Sequence, residues 1–201
     1  MGIKQRWLVN NLIYIMLVVV ICVAIFSVVM MNYYYMNIRT NMINSVSLSG
    51  EYFSYGLTSS MDSFYASAKR QLNLMPNMGD IECQILYANG RIMLSSSGLP
   101  AGMIPGTSDV DEAISQNQTR TYTGRDPQTG ERIMSASCPL ISGESEVVGV
   151  VRYVTSLREV DRRIIVQTSV ACIIGILIII FVLLSNRYFI RSIVNPLREI
   201  T

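Results

Sequence analysis

Apolar residues follow the two-residue period of β-strands in the stretch IECQILYANGRIMLSS, residues 81–96. Two apolar runs flank Asn89 and Gly90, a pair that favours a type I′ hairpin because both central residues of that turn need positive φ. Alternate residues of the first run are expected to share one face of a strand, namely Ile81, Cys83, Ile85 and Tyr87. The stretch therefore predicts an antiparallel hairpin at the beginning of a sheet.

Further strands are predicted after this hairpin. The segments TRTYTGR and ERIMSASCPLI flank the turn residues DPQTG and predict a second hairpin. The segment EVVGVVRYVT predicts a last strand, in which Gly149 indicates a bulge or a close backbone approach. Between the two hairpins, residues 110–116 predict a short helix with Ser108 or Asp109 as its cap. This order of elements predicts an antiparallel α+β domain.

A long helix is predicted upstream, because residues 36–74 contain no proline and their apolar or small residues recur in steps of three and four. Pro76 and Gly79 mark its end. The stripe consists of Ile43, Val46, Gly50, Phe53, Leu57, Met61, Phe64, Ala68 and Leu72. It has two interpretations: packing on the domain's own sheet, or a homodimer seam, because its spacing is close to a heptad. The candidate seam residues are Ile43, Val46, Gly50, Phe53 and Leu57.

Two uncharged apolar segments predict membrane helices in a chain that is 50% hydrophobic and 15% charged. Residues 8–31 and 164–185 are each long enough to cross the ~30 Å hydrocarbon core of a bilayer. A cleaved signal peptide is the alternative for the first segment, since Lys4 and Arg6 precede it. Its apolar run is too long for that role and no small-x-small cleavage pattern follows. We therefore expect an uncleaved anchor and a multi-pass protein of a cell membrane.

The flanking charges predict the orientation. Lys4 and Arg6 precede the first segment, and Arg187, Arg191 and Arg198 follow the second. Positive flanks stay in the cytoplasm, so both termini are expected inside and the intervening domain outside. The predicted organisation is a cytoplasmic N-terminus (1–7), a first span (8–31), an extracytoplasmic domain (32–163), a second span (164–185) and a cytoplasmic tail (186–201).

The residue types argue against several classes of function. The chain has no histidine, so the commonest general base and metal ligand are missing, and we expect no catalytic residues, metal site or cofactor within these residues. A net charge of +2 is too small to indicate a nucleic-acid partner. Asp109, Asp111 and Glu112 form an acidic cluster outside the membrane. It suits either helix capping, which we favour, or cation binding.

The outside segments resemble a known family. The series ANGRIMLSS, DEAISQ, TYTGRDPQTGERIMSASCPL and EVVGVVRYVTSLREVD resembles the extracytoplasmic PAS-like (single Cache) domain of bacterial sensor histidine kinases. The resemblance implies an antiparallel sheet with a long N-terminal helix, flanked by two transmembrane helices. It also implies that a small-molecule or peptide ligand, where one is bound, lies between the sheet and the distal helix and loops.

Polar strand residues are the candidates for that ligand site, with arginine suited to a carboxylate. They are Tyr122, Arg125, Arg132, Ser135, Ser137 and Arg152. Solvent-facing strand positions are the alternative for each of them. The usual PAS-like strand order also implies that the last strand separates Cys83 from Cys138, too far apart for the disulfide that an oxidising exterior would permit.

The C-terminal tail resembles the opening of a HAMP linker, in which a helix leaving the membrane carries a proline followed by leucine. The matching residues, expected to transmit the signal, are Ile193, Pro196, Leu197 and Ile200. We expect the chain to be the input half of a truncated receptor, since a HAMP unit needs a second helix to form a bundle.

The expected function is a homodimeric sensor that passes an outside signal to a cytoplasmic histidine kinase module absent from this chain. ATP and Mg²⁺ would serve only that module, and a response regulator would be its partner. Two alternatives stay open at this point. The same input module can belong to a chemoreceptor or a cyclic-dinucleotide cyclase, or the chain is a membrane adaptor with an outside binding domain and no signal output.

Overall fold

The computed structural model describes residues 3–56, 65–66, 68–70, 72, 81–141 and 146–189. The elements within these residues are α1 (Ile3–Gly56), β1 (Ile81–Tyr87), β2 (Ile92–Ser95), α2 (Ser108–Gln116), β3 (Arg120–Arg125), β4 (Arg132–Ile141), β5 (Val147–Ser156) and α3 (Arg158–Phe189). The chain divides into two units. The helical unit comprises Met1–Tyr33 and Asp161–Thr201, and the sheet unit comprises Tyr34–Val160.

The sheet unit contains one antiparallel sheet of five strands in the order β2-β1-β5-β4-β3. The two predicted hairpins and the last strand are present, and the α+β class with a long N-terminal helix is confirmed. The last strand in sequence, β5, lies at the centre between β1 and β4. Its run of β-branched residues, VVGVVRYVT, suits a strand that is buried on both faces.

The first hairpin differs from the predicted turn type. Gly90 has a φ of 75° while Asn89 is not in the positive-φ region, so the predicted type I′ turn is wrong. Gly90 N donates to Tyr87 O at 2.9 Å, and Tyr87 N donates to Arg91 O at 2.9 Å. These bonds close a three-residue loop that includes Ala88, and in such loops only the last position needs the left-handed conformation.

Helix α1 covers one face of the sheet. Met42, Val46 and Phe53 are buried in a core with apolar strand residues that include Ile85 and Val151. Packing on the chain's own sheet, one of the two interpretations of the stripe, is therefore observed for Val46 and Phe53. Farther along the same stripe, Ala68 is buried and Leu72 is partly buried against this core. The stripe positions Leu57, Met61 and Phe64 and the predicted helix end at Pro76 and Gly79 lie outside the described residues.

Helix α2 covers the opposite face. Val110 of α2 is buried with Leu86, Ile92 and Val150 of the sheet. The helix begins after Thr107, which is its N-cap by backbone geometry but makes no side-chain capping hydrogen bond. The prediction that Ser108 or Asp109 caps this helix is therefore wrong. The reason is that the Thr107 and Asp109 side chains bind sheet residues instead.

The positions of one glycine and two cysteines in the sheet unit agree with the sequence predictions. An added Cβ at Gly149 would lie 2.6 Å from Leu86 O, which confirms the close backbone approach predicted there. Cys83 and Cys138 are free thiols on β1 and β4, with β5 between them, in agreement with the expected separation. Burial, with a smaller effect of Glu82, raises the pKa of Cys83 to about 12. Burial likewise raises the pKa of Cys138.

The helical unit contains the first part of α1 and most of α3. Gly175 of α3 lies against α1, since an added Cβ there would lie 3.0 Å from Val19 Cγ1 and 3.6 Å from Val23 Cγ2. Two stretches of the described helices have the length and apolar composition needed to cross a membrane, Asn10–Ser54 and Arg158–Ser185. The predicted spans 8–31 and 164–185 fall in these two helices, and their limits remain predictions.

Candidate functional site

Arg152 is the centre of a polar cluster on the α2 face of the sheet, and only 3% of its surface is exposed. It lies on the central strand β5, directly opposite Gln84 of β1 and Ser137 of β4. Residues that are directly opposite in an antiparallel pair point to the same face, so the three side chains form a row across the sheet. Ser135 lies two residues from Ser137 and therefore shares that face.

A carboxylate from α2 completes the cluster. Asp109 Oδ2 accepts hydrogen bonds from Ser135 Oγ at 2.8 Å and Ser137 Oγ at 2.7 Å. It also accepts one from Arg152 Nε at 3.0 Å, which forms an ion pair. The Asp109 side chain is 0% exposed. A buried ion pair of this kind requires hydrogen bonds from its surroundings to offset the desolvation of both charges.

The other nitrogens of Arg152 bind neutral groups. Arg152 Nη1 donates to Gln84 Oε1 at 2.7 Å, and Nη2 donates to Thr107 Oγ1 at 2.9 Å. Thr107 and Asp109 flank the first residue of α2, so one guanidinium holds the beginning of this helix at two points. The positive charge of Arg152 is unfavourable beside a helix N-terminus, and Asp109 compensates for it.

The network continues from Gln84 to the edge of the sheet. Gln84 Nε2 donates to Glu82 Oε1 at 2.9 Å. The same oxygen accepts hydrogen bonds from Ser95 Oγ and Ser97 Oγ, both at 2.7 Å. A continuous series of polar contacts therefore runs from α2 across β5 and β1 to the end of β2.

The electrostatics favour an ionised Asp109. Burial raises the pKa of its carboxyl group, but the Arg152 charge and the hydroxyls of Thr107, Ser137 and Ser135 outweigh burial and bring the pKa below its ordinary value. The hydrogen bonds are unevenly distributed over the carboxylate. Oδ2 accepts three, whereas Oδ1 is buried and has no hydrogen-bond partner among the described residues.

The structure brings together three of the six predicted ligand-site residues, Ser135, Ser137 and Arg152. Tyr122 lies opposite Ser135, on the same face, but its hydroxyl donates to Arg125 O at 3.1 Å and its ring lies beside Gly124 of its own strand. Tyr122 is thus directed along β3 and away from the cluster.

Arg125 and Arg132 lie apart from the cluster. They are directly opposite each other on β3 and β4, at exposed positions. Arg125 Nη1 donates to Gly130 O at 3.0 Å, within its own hairpin. The guanidinium of Arg132 lies 5.8 Å from the ring centroid of Tyr35 in α1. The solvent-facing alternative therefore describes these two arginines better than a shared pocket does.

Most of the described candidates for the dimer seam are buried within the sheet unit. Val46, Gly50 and Phe53 are buried against the chain's own sheet, and Ile43 is half-buried. Leu57 lies outside the described residues, as do the signal-transmission candidates, which are Ile193, Pro196, Leu197 and Ile200. A dimer seam on α1 stays a prediction.

The acidic cluster of the sequence is divided between two roles. Asp109 points into the sheet and binds Arg152, whereas Asp111 is exposed on the same helix. Within the part of the chain that the structure describes, there is no group of three or more histidine, cysteine or acidic residues that could hold a metal ion.

Sequence reasoning missed Asp109, Thr107, Gln84 and Glu82 as members of the cluster. A signal for them existed in the strand sequences. Gln84 and Arg152 interrupt apolar runs that are otherwise suited to central strands. A buried arginine needs an anionic partner and a buried amide needs hydrogen bonds, so each interruption predicts a polar residue packed on the same face.

No family model matches the chain, and no curated protein matches it. Solved structures do resemble it. The ligand-binding domain of the Campylobacter jejuni chemoreceptor Tlp3 in complex with L-valine has a TM-score of 0.51 at 10% identity, and the match covers 80% of this chain and 64% of that chain. An extracellular ligand binding receptor from Desulfohalobium retbaense has a TM-score of 0.49 at 16% identity, covering 63% of this chain and 24% of that chain.

The sensor domain of DcuS from E. coli has a TM-score of 0.43 at 14% identity, covering 63% of this chain and 96% of that domain. This chain thus spans about a quarter of the Desulfohalobium receptor and under two thirds of the Tlp3 domain. At these identities the likeness concerns the fold. The Tlp3 match, at a TM-score of 0.51, agrees with the PAS-like (Cache) fold that the sequence resemblance implied.

Proposed function

We propose that this chain is the extracytoplasmic input half of a membrane sensor. The main support is the position of the sheet unit in the chain. It is preceded and followed by helices that are long and apolar enough to span a bilayer, and α1 runs without interruption from its apolar segment into the core of the sheet unit. A domain attached in this way transmits any change in its packing to the helices that hold it.

The central strand supplies the connection between site and output. Arg152 of β5 points to the α2 face, while its neighbour Tyr153 points to the α1 face, where its hydroxyl lies 2.6 Å from Ser49 Oγ. Helix α3 begins at Arg158, two residues after β5 ends. An input that moves Arg152 therefore acts on the strand that contacts α1 and leads into α3.

Several finer features belong to this proposal. Both termini are cytoplasmic, the chain forms a homodimer, and the output is a histidine kinase module with a response regulator as its partner. The alternatives for the output are a chemoreceptor and a cyclic-dinucleotide cyclase. If two copies pair through α1 beside the sheet, the exposed apolar side chains available include Leu48 and Tyr52, since Val46 and Phe53 are buried.

The proposal is tested by joining residues 1–201 to the HAMP and kinase modules of a well-characterised receptor with a transcriptional reporter. Arg152→Ala should shift the basal reporter signal, because it breaks the cluster on the central strand. Arg125→Ala is the matched control, since this exposed arginine lies outside the cluster. Equal signals from both variants and the parent, with equal membrane amounts, would support the adaptor alternative and contradict the sensor function.

The orientation has its own test. A single cysteine at Ser97, on an exposed position of the sheet unit, should react with a membrane-impermeant maleimide in intact cells. A single cysteine at Gln5 should react only after the membrane is opened. The reverse pattern would overturn the proposed orientation.

A further inference from the structure

The cluster around Arg152 has the composition of a carboxylate-binding site, and a carboxylate of the chain already occupies it. The donors that contact Asp109 Oδ2 are two serine hydroxyls and one guanidinium nitrogen, at distances from 2.7 to 3.0 Å. They come from the adjacent strands β4 and β5, and their side chains are between 0% and 3% exposed. A ligand carboxylate in the same place would need the same three donors.

Asp109 is carried on an element that is separate from the strands that bind it. Helix α2 has nine residues and is joined to the sheet by the segments on either side of it. Its apolar attachment consists of Val110, which is buried with sheet residues, Ala113, which is also buried, and Ile114, which is partly buried against the same cluster. The polar contacts of Asp109 and Thr107 with Arg152 add to this attachment at the beginning of the helix.

The fit of Asp109 in this site is incomplete. Its Oδ1 is buried without a hydrogen-bond partner among the described residues, and Arg152 contacts the carboxylate through Nε alone. The helix backbone limits how far this carboxylate can turn. An unattached carboxylate can rotate until both of its oxygens accept hydrogen bonds, and two-point contacts with arginine are the stronger kind. A free carboxylate can therefore compete with Asp109 in spite of the attachment.

We propose that Asp109 is a built-in carboxylate ligand that fills the Arg152, Ser135 and Ser137 site, and that a free small carboxylate binds there only by displacing Asp109 and releasing α2. The claim that Asp109 occupies the site is independent of the proposed sensor function. The claim that the release of α2 is the input signal rests on that function.

The test is chemical rescue in the full chain, reconstituted in lipid nanodiscs. Asp109→Ala removes the carboxylate group and leaves alanine, a good helix former. Formate is the free carboxylate that corresponds to the group removed. Amide hydrogen exchange of residues 108–116 is measured in sodium formate and in sodium chloride of equal concentration. Exchange in the variant should rise about tenfold or more in chloride, because hydrogen bonds to a charged group are lost. Formate should restore the protection.

Two controls make the result specific. Asp111→Ala removes an exposed carboxylate from the same turn of α2 and should show neither the loss nor the rescue. The unaltered chain should need about 100-fold more formate than Asp109→Ala before α2 exchanges faster, because an attached ligand has a high effective concentration. These measurements involve no signal output, so their failure is distinguishable from failure of the sensor function.

The proposal is overturned if formate acts no differently from chloride on Asp109→Ala, or if the unaltered chain and the variant respond at the same formate concentration. Should Asp109→Ala fail to fold, Ser137→Ala replaces it, since that change removes one donor to Oδ2 and keeps the ion pair. Its α2 amides should exchange faster than those of Ser156→Ala, a strand serine outside the cluster. Equal exchange in these two variants would also overturn the proposal.

Discussion

The two faces of the central strand differ in what they bury. On the α1 face, β5 contributes Val151 and Tyr153 to a mainly apolar core. On the α2 face it contributes Val150 to a smaller apolar cluster and Arg152 to an ion pair. The hydrophobic effect is non-directional, whereas a buried ion pair contributes only while both partners stay in place. The α1 face therefore contains the larger apolar core, and the α2 face contains the ion pair that the proposed displacement of Asp109 would break.

The largest expected effect comes from removing one charge of the pair. Arg152→Met should reduce the free energy of unfolding by about 3–5 kcal/mol, because the Asp109 carboxylate is left buried without its partner. Urea titration of the full chain in nanodiscs, followed by circular dichroism, measures the loss. The double variant Arg152→Met with Asp109→Asn should recover part of it. A loss below about 1 kcal/mol would mean that the pair does not hold the α2 face.

The next effect concerns the α1 face. Phe53→Ala should cost about 3 kcal/mol in the same titration, because it leaves a cavity between α1 and the sheet. Leu48→Ala on the same helix is the control. That side chain is 68% exposed, so its change should stay within about 0.5 kcal/mol. If the control instead showed a loss that depends on protein concentration, Leu48 would be covered by a second copy.

A smaller effect is expected at the polar contact of the α1 face. Tyr153→Phe removes the hydroxyl that lies 2.6 Å from Ser49 Oγ and should cost about 1 kcal/mol. Ser49→Ala and the double variant complete a double-mutant cycle. Additive losses in that cycle would indicate that the two hydroxyls do not interact.

The smallest effects are opposite responses of the two faces to pH. The pKa of Asp109 is lowered on folding, so its contribution is present above its unfolded pKa of about 3.9 and decreases as the pH falls below that value. The pKa of Cys83 is raised to about 12. Its contribution is present below an unfolded pKa of about 8.5 and decreases as the pH rises.

The change in the free energy of unfolding should be under about 1 kcal/mol for Asp109 near pH 4 and for Cys83 near pH 9. Asp109→Asn should reduce the loss of stability on the acid side and leave the alkaline side unchanged. Cys83→Ala should reduce the loss on the alkaline side without abolishing it, because burial also raises the pKa of Cys138 and of Tyr153. Thermal unfolding across the pH range distinguishes the two variants, and a variant that changes both sides would contradict the assignment of Asp109 to the acid side and Cys83 to the alkaline side.

Local patterns predicted most of the elements correctly. The hairpin around Asn89 and Gly90, the strand that contains Gly149 and the helical stripe through Val46 and Phe53 all depend on residues close together in sequence. The errors were also local. The type I′ turn failed because Ala88 lengthens the loop, and the cap assignment failed because Thr107 and Asp109 bind the sheet instead of the helix backbone.

The candidate site was predicted only in part. Ser135, Ser137 and Arg152 were selected as polar residues in strands, and the same criterion selected Tyr122, Arg125 and Arg132, which do not join them. Strand alternation separates Arg132 from Arg152, since they point to opposite faces. Which residues belong together depends on the register between strands, and that register is not encoded in any one segment.

The sequence by itself determined the α+β class, the long first helix and the two apolar segments. These follow from period, length and hydropathy, which act within a segment. Only the tertiary structure decided that Asp109 is the partner of Arg152. The two residues are separated by 43 positions, and the contact exists because the placement of β5 between β1 and β4 brings Arg152 under the first turn of α2.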